Sequence, residues 1–245
     1  MSFAFINQLY EQVAHVEDLE KRSDPSDNRR LRHTHKVLSK LVTNEAKLLE
    51  VGPGNGFISG AIKDLISRYN LDFFALDISA QFLKKTRAKS GGKATIITSN
   101  ISETNFHIHE KFDFILCQEV IEHLTAPFVA LVNMNACLKS DGYLIITIPN
   151  TFRLRYIWQL ILCQPTRILD THIAEISPIG LLKLVSMAGF EPISLAFKNT
   201  KWHWLPNPLT MFLSSEIFLV ATKISGPELP WKELTSQIMQ SWNEF

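Results

Sequence analysis

The sequence predicts an α/β protein, a mostly parallel sheet with helices on both faces, and two observations carry that expectation. From Lys47 onward, short apolar runs alternate with helical stretches. That is the pattern of right-handed βαβ crossovers, which cover both faces of a parallel sheet. Three glycines, Gly52, Gly54 and Gly56, follow the first apolar run, at the turn where such sheets bind ligands.

Composition bounds the rest. The chain has 245 residues, 46% hydrophobic and 20% charged, which supports one domain with a sizeable core and a small appendage. Lys and Arg number 25 against 24 for Asp and Glu, so no net field favours a nucleic acid or an anionic membrane as partner. Cys117, Cys137 and Cys163 are widely spaced in apolar segments. They read as buried free thiols in a reducing cytoplasm rather than a zinc site. The start, Met1 to Gln8, has no basic region and meets Glu11 before an apolar stretch develops, so no signal peptide is expected. No apolar run approaches the ~20 residues of a membrane span. Neither an internal repeat nor a low-complexity stretch is visible.

In chain order, residues 1–46 read as a helical cap, two polar helices around a charged break containing Asp24-Pro25-Ser26-Asp27. The main domain is expected at 47–225. Strands are predicted at 48–51, 73–76, 94–97, 114–117 and 143–148, with helices at 57–69, 80–88, 119–124 and 127–138. The alternation then pauses at 151–173, a lid insertion carrying Phe152, Arg153, Arg155, Tyr156, Trp158 and Arg167. A helix at 178–188 stops at Gly189, and strands follow at 191–196 and 217–222. Residues 226–245 read as an amphipathic helical tail.

The loop Glu50-Val51-Gly52-Pro53-Gly54-Asn55-Gly56 lets the backbone turn sharply and approach a ligand. The helix after it presents free N–H groups to a carboxylate or phosphate. A dinucleotide fingerprint needs a third glycine one position later, where this chain has Phe57, and that weighs against a nicotinamide-dependent oxidoreductase. Asp77 ends the second strand, 21 residues after Gly56. It can accept both hydroxyls of a ribose, or cap the helix that follows.

These residues resemble those of a known family. The glycine loop resembles motif I of the class I S-adenosylmethionine-dependent methyltransferases, and Ala75-Leu76-Asp77-Ile78-Ser79 looks like their acidic second motif. Ser99-Asn100-Ile101 sits where the family places an Asp or Asn beside the adenine. Cys117-Gln118-Glu119-Val120-Ile121-Glu122-His123-Leu124 and Ile148-Pro149-Asn150 are similar to segments of the ubiquinone-biosynthesis O-methyltransferase-like branch. The resemblance runs from about Lys47 to Phe190. It implies a Rossmann-like seven-stranded methyltransferase sheet with an antiparallel last strand at 217–222, and S-adenosylmethionine as cofactor. Implied contacts are Glu50, Gly52, Pro53, Gly54 and Asn55 around the methionine portion, Asp77 and Ile78 at the ribose, Asn100 and Ile101 at the adenine, and Gln118 near the sulfonium. A non-catalytic methyltransferase-like binding protein is the other reading of the same motifs.

Glu119, Glu122 and His123 stand at i, i+3 and i+4, one face of the expected helix. Two carboxylates and an imidazole can hold a divalent cation, which would lower the pKa of a substrate hydroxyl. The helix dipole alone also favours carboxylates in a first turn, by roughly 0.3–1 kcal/mol each. A second resemblance bears on this choice. In the small-RNA 2′-O-methyltransferases, a Glu-x-x-Glu-His helix and a distant histidine bind magnesium. That resemblance implies a metal set of Glu119, Glu122, His123 and His172, the last within Thr171-His172-Ile173. Alternatively His123 or His172, with Glu119 beside them, serves as general base, since imidazole titrates near neutral pH. Both roles stand open at this point. Either favours methylation of a hydroxyl oxygen on a small-molecule acceptor. Tyr156, Trp158, Trp202 and Trp204 could wall that acceptor or simply pack, and Arg153, Arg155 and Arg167 could hold its anionic group or face solvent.

Overall fold

A computed structural model describes residues 29–162, 172–198 and 207–224. The first expected helix, Cys163, Arg167, the Arg155 side chain, Trp202, Trp204 and the tail at 226–245 lie outside the described residues. Seven strands are present: β1 (Lys47–Val51), β2 (Asp72–Asp77), β3 (Thr95–Thr98), β4 (Phe112–Gln118), β5 (Leu138–Pro149), β6 (Phe190–Lys198) and β7 (Glu216–Lys223). They form one mixed sheet in the order β3-β2-β1-β4-β5-β7-β6, with the seven strands and the antiparallel last strand that the resemblance implies. The chain divides into two compact units.

The first unit holds the chain through Ile101 together with Lys111–Leu116. β1 and β2 run parallel, Leu49 opposite Phe74 and Val51 opposite Leu76, and β2 and β3 run parallel with Leu76 opposite Ile97. Leu48, Leu49, Val51, Phe73, Ala75 and Leu76 are all buried, because helices cover a parallel strand on both faces. Two acids, Glu50 and Asp77, are buried among them. β3 is short and largely exposed, as befits an edge strand with one neighbour. Phe112 of β4 packs edge-to-face on Phe74, ring centroids 5.2 Å apart.

Helices α1 (Arg29–Leu41), α2 (Phe57–Ala61), α3 (Lys63–Arg68) and α4 (Ala80–Lys89) complete this unit. α1 buries Leu31, Thr34 and Leu38, a single face at helical spacing. The helix expected over 57–69 breaks at Ile62, whose φ of −103° and ψ of 9° leave the helical basin. α4 starts where the sequence places it, with the Ser79 hydroxyl accepting from the Phe82 amide at 3.2 Å.

The second unit holds Ser102–Glu110 and the chain from Cys117 onward. α5 (Pro127–Cys137) carries Pro127 in its first turn, where the missing N–H costs nothing. β5 begins at Leu138, earlier than the expected 143, and pairs antiparallel with β7 over Tyr143–Pro149. β7 is antiparallel to β6 as well, with Leu219 opposite both Ile146 and Leu195. The β6 register shifts between Pro192 and Ser194, since proline has no N–H to give the ladder. α6 (Leu154–Ile161) follows β5, and α7 (Pro178–Met187) is capped by Ser177, whose hydroxyl accepts from the Gly180 amide at 3.0 Å. α8 (Asn207–Leu213) is a helix the sequence does not announce.

The segment 119–124 corrects an expectation. It is not a helix but a single tight helical turn, Ile121–His123. The Glu119 amide still donates to the Thr147 carbonyl at 3.0 Å, so the chain stays with the sheet one residue past β4. It must then reverse, and Glu119 takes a left-handed φ of 56°. Glu119 therefore shares no helix face with Glu122 and His123.

Candidate active site

β1 delivers the glycine loop. The Gly52 amide donates to the Leu76 carbonyl at 2.8 Å and the Gly56 amide to the Pro53 carbonyl at 2.9 Å, closing a turn. Gly54 and Gly56 both have left-handed backbones, φ 51° and 68°, but for different reasons. A Cβ on Gly56 would lie 2.8 Å from the Thr86 Cα, so this glycine lets α2 and α4 approach. One on Gly54 would meet nothing within 4 Å. That space is open to a ligand.

Around the loop lies a set of buried polar groups. Glu50 is 1% exposed, and burial pushes its carboxyl up to about 7; the Ser59 hydroxyl works against this and the Asp77 charge adds to it. Ser59 donates to Oε2 of Glu50, while Oε1 is buried with no hydrogen-bond partner among the described residues. Asp77 accepts from the Ser79 amide at 2.9 Å. Asn55 is buried and accepts from the Lys85 ammonium at 3.1 Å. Pro53 and Ile101 are buried, and Ile78 and Asn100 half-buried. An orphaned carboxylate oxygen and an open cradle over Gly54 fit a cationic, amino-bearing ligand. Ser59 and Lys85 escape the sequence reading. A serine three residues into a helix signals nothing until the helix is folded back on β1.

In the second unit, Gln118 is buried at the end of β4. Glu122, His123 and His172 converge, each offering a ligand-capable atom within 4.8 Å of the others. Glu122 is 2% exposed and its Oε1 lies 3.9 Å from Nε2 of His123. The His123 and His172 rings meet edge-on, centroids 4.6 Å apart at 71°. The amides of Ile173 and Ala174 both donate to the Glu122 carbonyl, at 2.9 and 3.0 Å, and this fixes the chain directly after His172. Desolvation, with the His123 charge second, lowers the pKa of His172, which favours its neutral imidazole. Glu119 does not join this cluster. Burial, then the Glu122 charge, raises the Cys117 thiol, which is thereby inert.

Asn150, at the end of β5, is structural. Its amide donates to the carbonyls of Met211 and Ser214 at 2.6 and 2.9 Å, and its oxygen accepts from the Phe152 amide at 3.0 Å. Helix α6 presents Trp158 to solvent at 54% exposure, with Arg153 and Tyr156 half-buried. Among the described residues no helix is long and apolar enough to cross a membrane.

A glycine loop after β1, an acid closing β2 and an antiparallel β7 set between β5 and β6 make a Rossmann-like sheet, the fold of solved S-adenosylmethionine-dependent methyltransferases. Residues 49–146 match the methyltransferase domain family. Solved structures share the fold. The CcbJ methyltransferase of Streptomyces caelestis aligns with a TM-score of 0.64 at 14% identity, covering 88% of this chain and 98% of that one. An S-adenosylmethionine-dependent methyltransferase from Clostridium acetobutylicum aligns at 0.59 and 15% identity, covering 89% and 100%. Among curated proteins, the ubiquinone biosynthesis O-methyltransferase of Cereibacter sphaeroides is 24% identical over 172 residues, 64% of this chain and 66% of that protein. The Glaesserella parasuis protein of that name is 27% identical over 155 residues, 59% and 65%. The chain thus spans just under two thirds of these relatives' length.

Proposed function

We propose that this chain transfers the methyl group of S-adenosylmethionine to a hydroxyl oxygen of a small-molecule acceptor. The observation that carries the proposal is the convergence of His172, His123 and the buried Glu122 in a chain whose residues 49–146 match a methyltransferase domain. Glu50, Gly52, Pro53, Gly54 and Asn55 hold the methionine portion in this reading, Asp77 and Ile78 the ribose, and Asn100 and Ile101 the adenine. Bound, S-adenosylmethionine supplies a methyl carbon on a positively charged sulfur, open to in-line displacement. The protein's first task is alignment, which can contribute on the order of 7–11 kcal/mol.

Its second task is to take the acceptor's proton. His172 would accept it as the acceptor oxygen takes the methyl carbon and the carbon–sulfur bond breaks, S-adenosylhomocysteine leaving as the neutral thioether, and the Glu122 carboxylate would balance the imidazolium charge. The named activity of the curated relatives makes a phenolic quinone precursor a natural first acceptor, with sugars and other hydroxylated metabolites next. A second reading rests on the same three residues. Two imidazoles and a carboxylate within 4.8 Å suit a borderline or hard divalent cation such as zinc or magnesium, which would lower the acceptor's pKa itself.

Methyl-labelled S-adenosylmethionine offered with a panel of phenols and sugars, followed by product analysis, tests the proposal. Label on oxygen supports it, and label on carbon alone overturns it. Complete chelation that abolishes transfer selects the metal reading, and unchanged transfer selects the histidine base. Thermal stabilisation by NAD and not by S-adenosylmethionine would remove the cofactor assignment altogether.

A further inference from the structure

Glu50 is an acid buried with half of its carboxyl unanswered. It lies two residues before Gly52, and its strand neighbour on β2 is Ala75. From α2, Ser59 donates to Oε2, and from the end of β2 the Asp77 carboxylate adds negative charge. Lys85 of α4 is turned to Asn55 of the loop. The β4 residues Phe114, Ile115 and Leu116 are apolar and buried. Two carboxylates thus share a buried region beside the open cradle of Gly54, and Oε1 of Glu50 has no hydrogen-bond partner among the described residues. Such a pair strongly disfavours double ionisation until a positive charge arrives.

We propose that Glu50 and Ser59 form a proton-coupled anchor: Glu50 keeps a proton in the ligand-free chain and releases it when the positive charge of S-adenosylmethionine enters the loop. This rests on the reading of that loop as the cofactor site, and adds that cofactor binding is linked to proton release. Ser59 is the positioning residue. Its donated hydrogen bond favours the ionised carboxylate and keeps the acid close to its switching point instead of locked in the neutral form. The Glu50 carboxyl, pushed up to about 7 by burial against the Ser59 bond and with the Asp77 charge, places the transition near neutrality.

Calorimetric titration of the full chain with S-adenosylmethionine, in two buffers of different ionisation enthalpy, reads the protons directly. At pH 6 about 0.9 proton should leave per cofactor bound, falling to about 0.1 at pH 8. Affinity should weaken about tenfold from pH 8 to pH 6 relative to Glu50→Gln, a comparison that cancels the cofactor's own titration. In Ser59→Ala the release should persist but centre at higher pH. Infrared difference spectra of the ligand-free chain at pH 6 give an independent reading: a protonated carboxyl band that is absent in Glu50→Gln and is lost on adding S-adenosylmethionine. Binding without proton release at pH 6, or the same pH dependence in Glu50→Gln as in the native chain, overturns the proposal. Absence of binding at every pH overturns the cofactor reading itself, and this proposal with it.

Discussion

Alanine at Gly56 and alanine at Gly54 are the same chemical change in the same loop, yet they should fail in different ways. Both residues have left-handed backbones, so each substitution carries strain of about 1–2 kcal/mol. At position 56 the added Cβ would also lie 2.8 Å from the Thr86 Cα and 3.2 Å from its backbone nitrogen. Backbone cannot rotate aside as a side chain can, so α2 and α4 must part, at a further cost of about 1–3 kcal/mol. Gly56→Ala should therefore lose about 2–5 kcal/mol in urea unfolding of the ligand-free chain, and Gly54→Ala only about 1–2 kcal/mol. The order reverses when thermal shift with S-adenosylmethionine is measured. Gly54→Ala fills the open space over the loop and should lose most of the cofactor's stabilisation. Equal losses in urea would refute the packing argument, and undiminished stabilisation of Gly54→Ala by S-adenosylmethionine would refute the reading of that space as the ligand's.

Other expectations follow from the same geometry. Because the Glu50 carboxyl is raised from 4.5 to about 7, the folded chain binds this proton more tightly than the unfolded one. That stabilisation is full below the unfolded value and lost as pH rises through the folded one. Urea unfolding should show the native chain about 3 kcal/mol less stable at pH 8 than at pH 4 relative to Glu50→Gln, and no difference between the two profiles would sink the assignment. His172→Ala should lower kcat about 10²–10⁴-fold with little change in KM. As the His172 pKa is lowered, the native rate should hold at pH values where an ordinary histidine is already protonated, and this acid limb should vanish in the variant. Phe112→Ala deletes a fully buried ring and should cost about 3–5 kcal/mol in urea unfolding, without moving the pH dependence of binding.

Local pattern made the sheet legible wherever pattern alone decides. β1, β2 and β7 are apolar runs bounded by polar or glycine punctuation, and the helix starts at 80 and 178 and the stop at Gly189 are reproduced by the structure. Where a distant partner decides, the sequence misleads. The spacing of Glu119, Glu122 and His123 suggests one helical face, but the hydrogen bond from the Glu119 amide to Thr147 keeps that residue with the sheet. Asn207-Pro208 opens α8, a helix that no pattern in the sequence announces, since proline is as welcome in a first helical turn as in a turn of coil. The glycine loop is legible because its glycines and Asp77 belong to one βαβ unit. The histidine cluster is not fixed by pattern: His172 meets His123 where the residues after it hydrogen-bond to Glu122.

The placement of β7 bears on the order in which the chain can be made. Synthesis runs from the amino end, so β5 and β6 leave the ribosome before the strand that joins them. Until residues 216–223 emerge, Tyr143–Pro149 and Phe190–Lys198 are two open edges, with Leu144, Ile146, Leu195 and Phe197 awaiting a neighbour. Unpaired strands of that kind recruit other chains readily. A nascent or truncated polypeptide stopping short of Glu216 should therefore yield inclusion bodies and chaperone dependence in place of a smaller native fold.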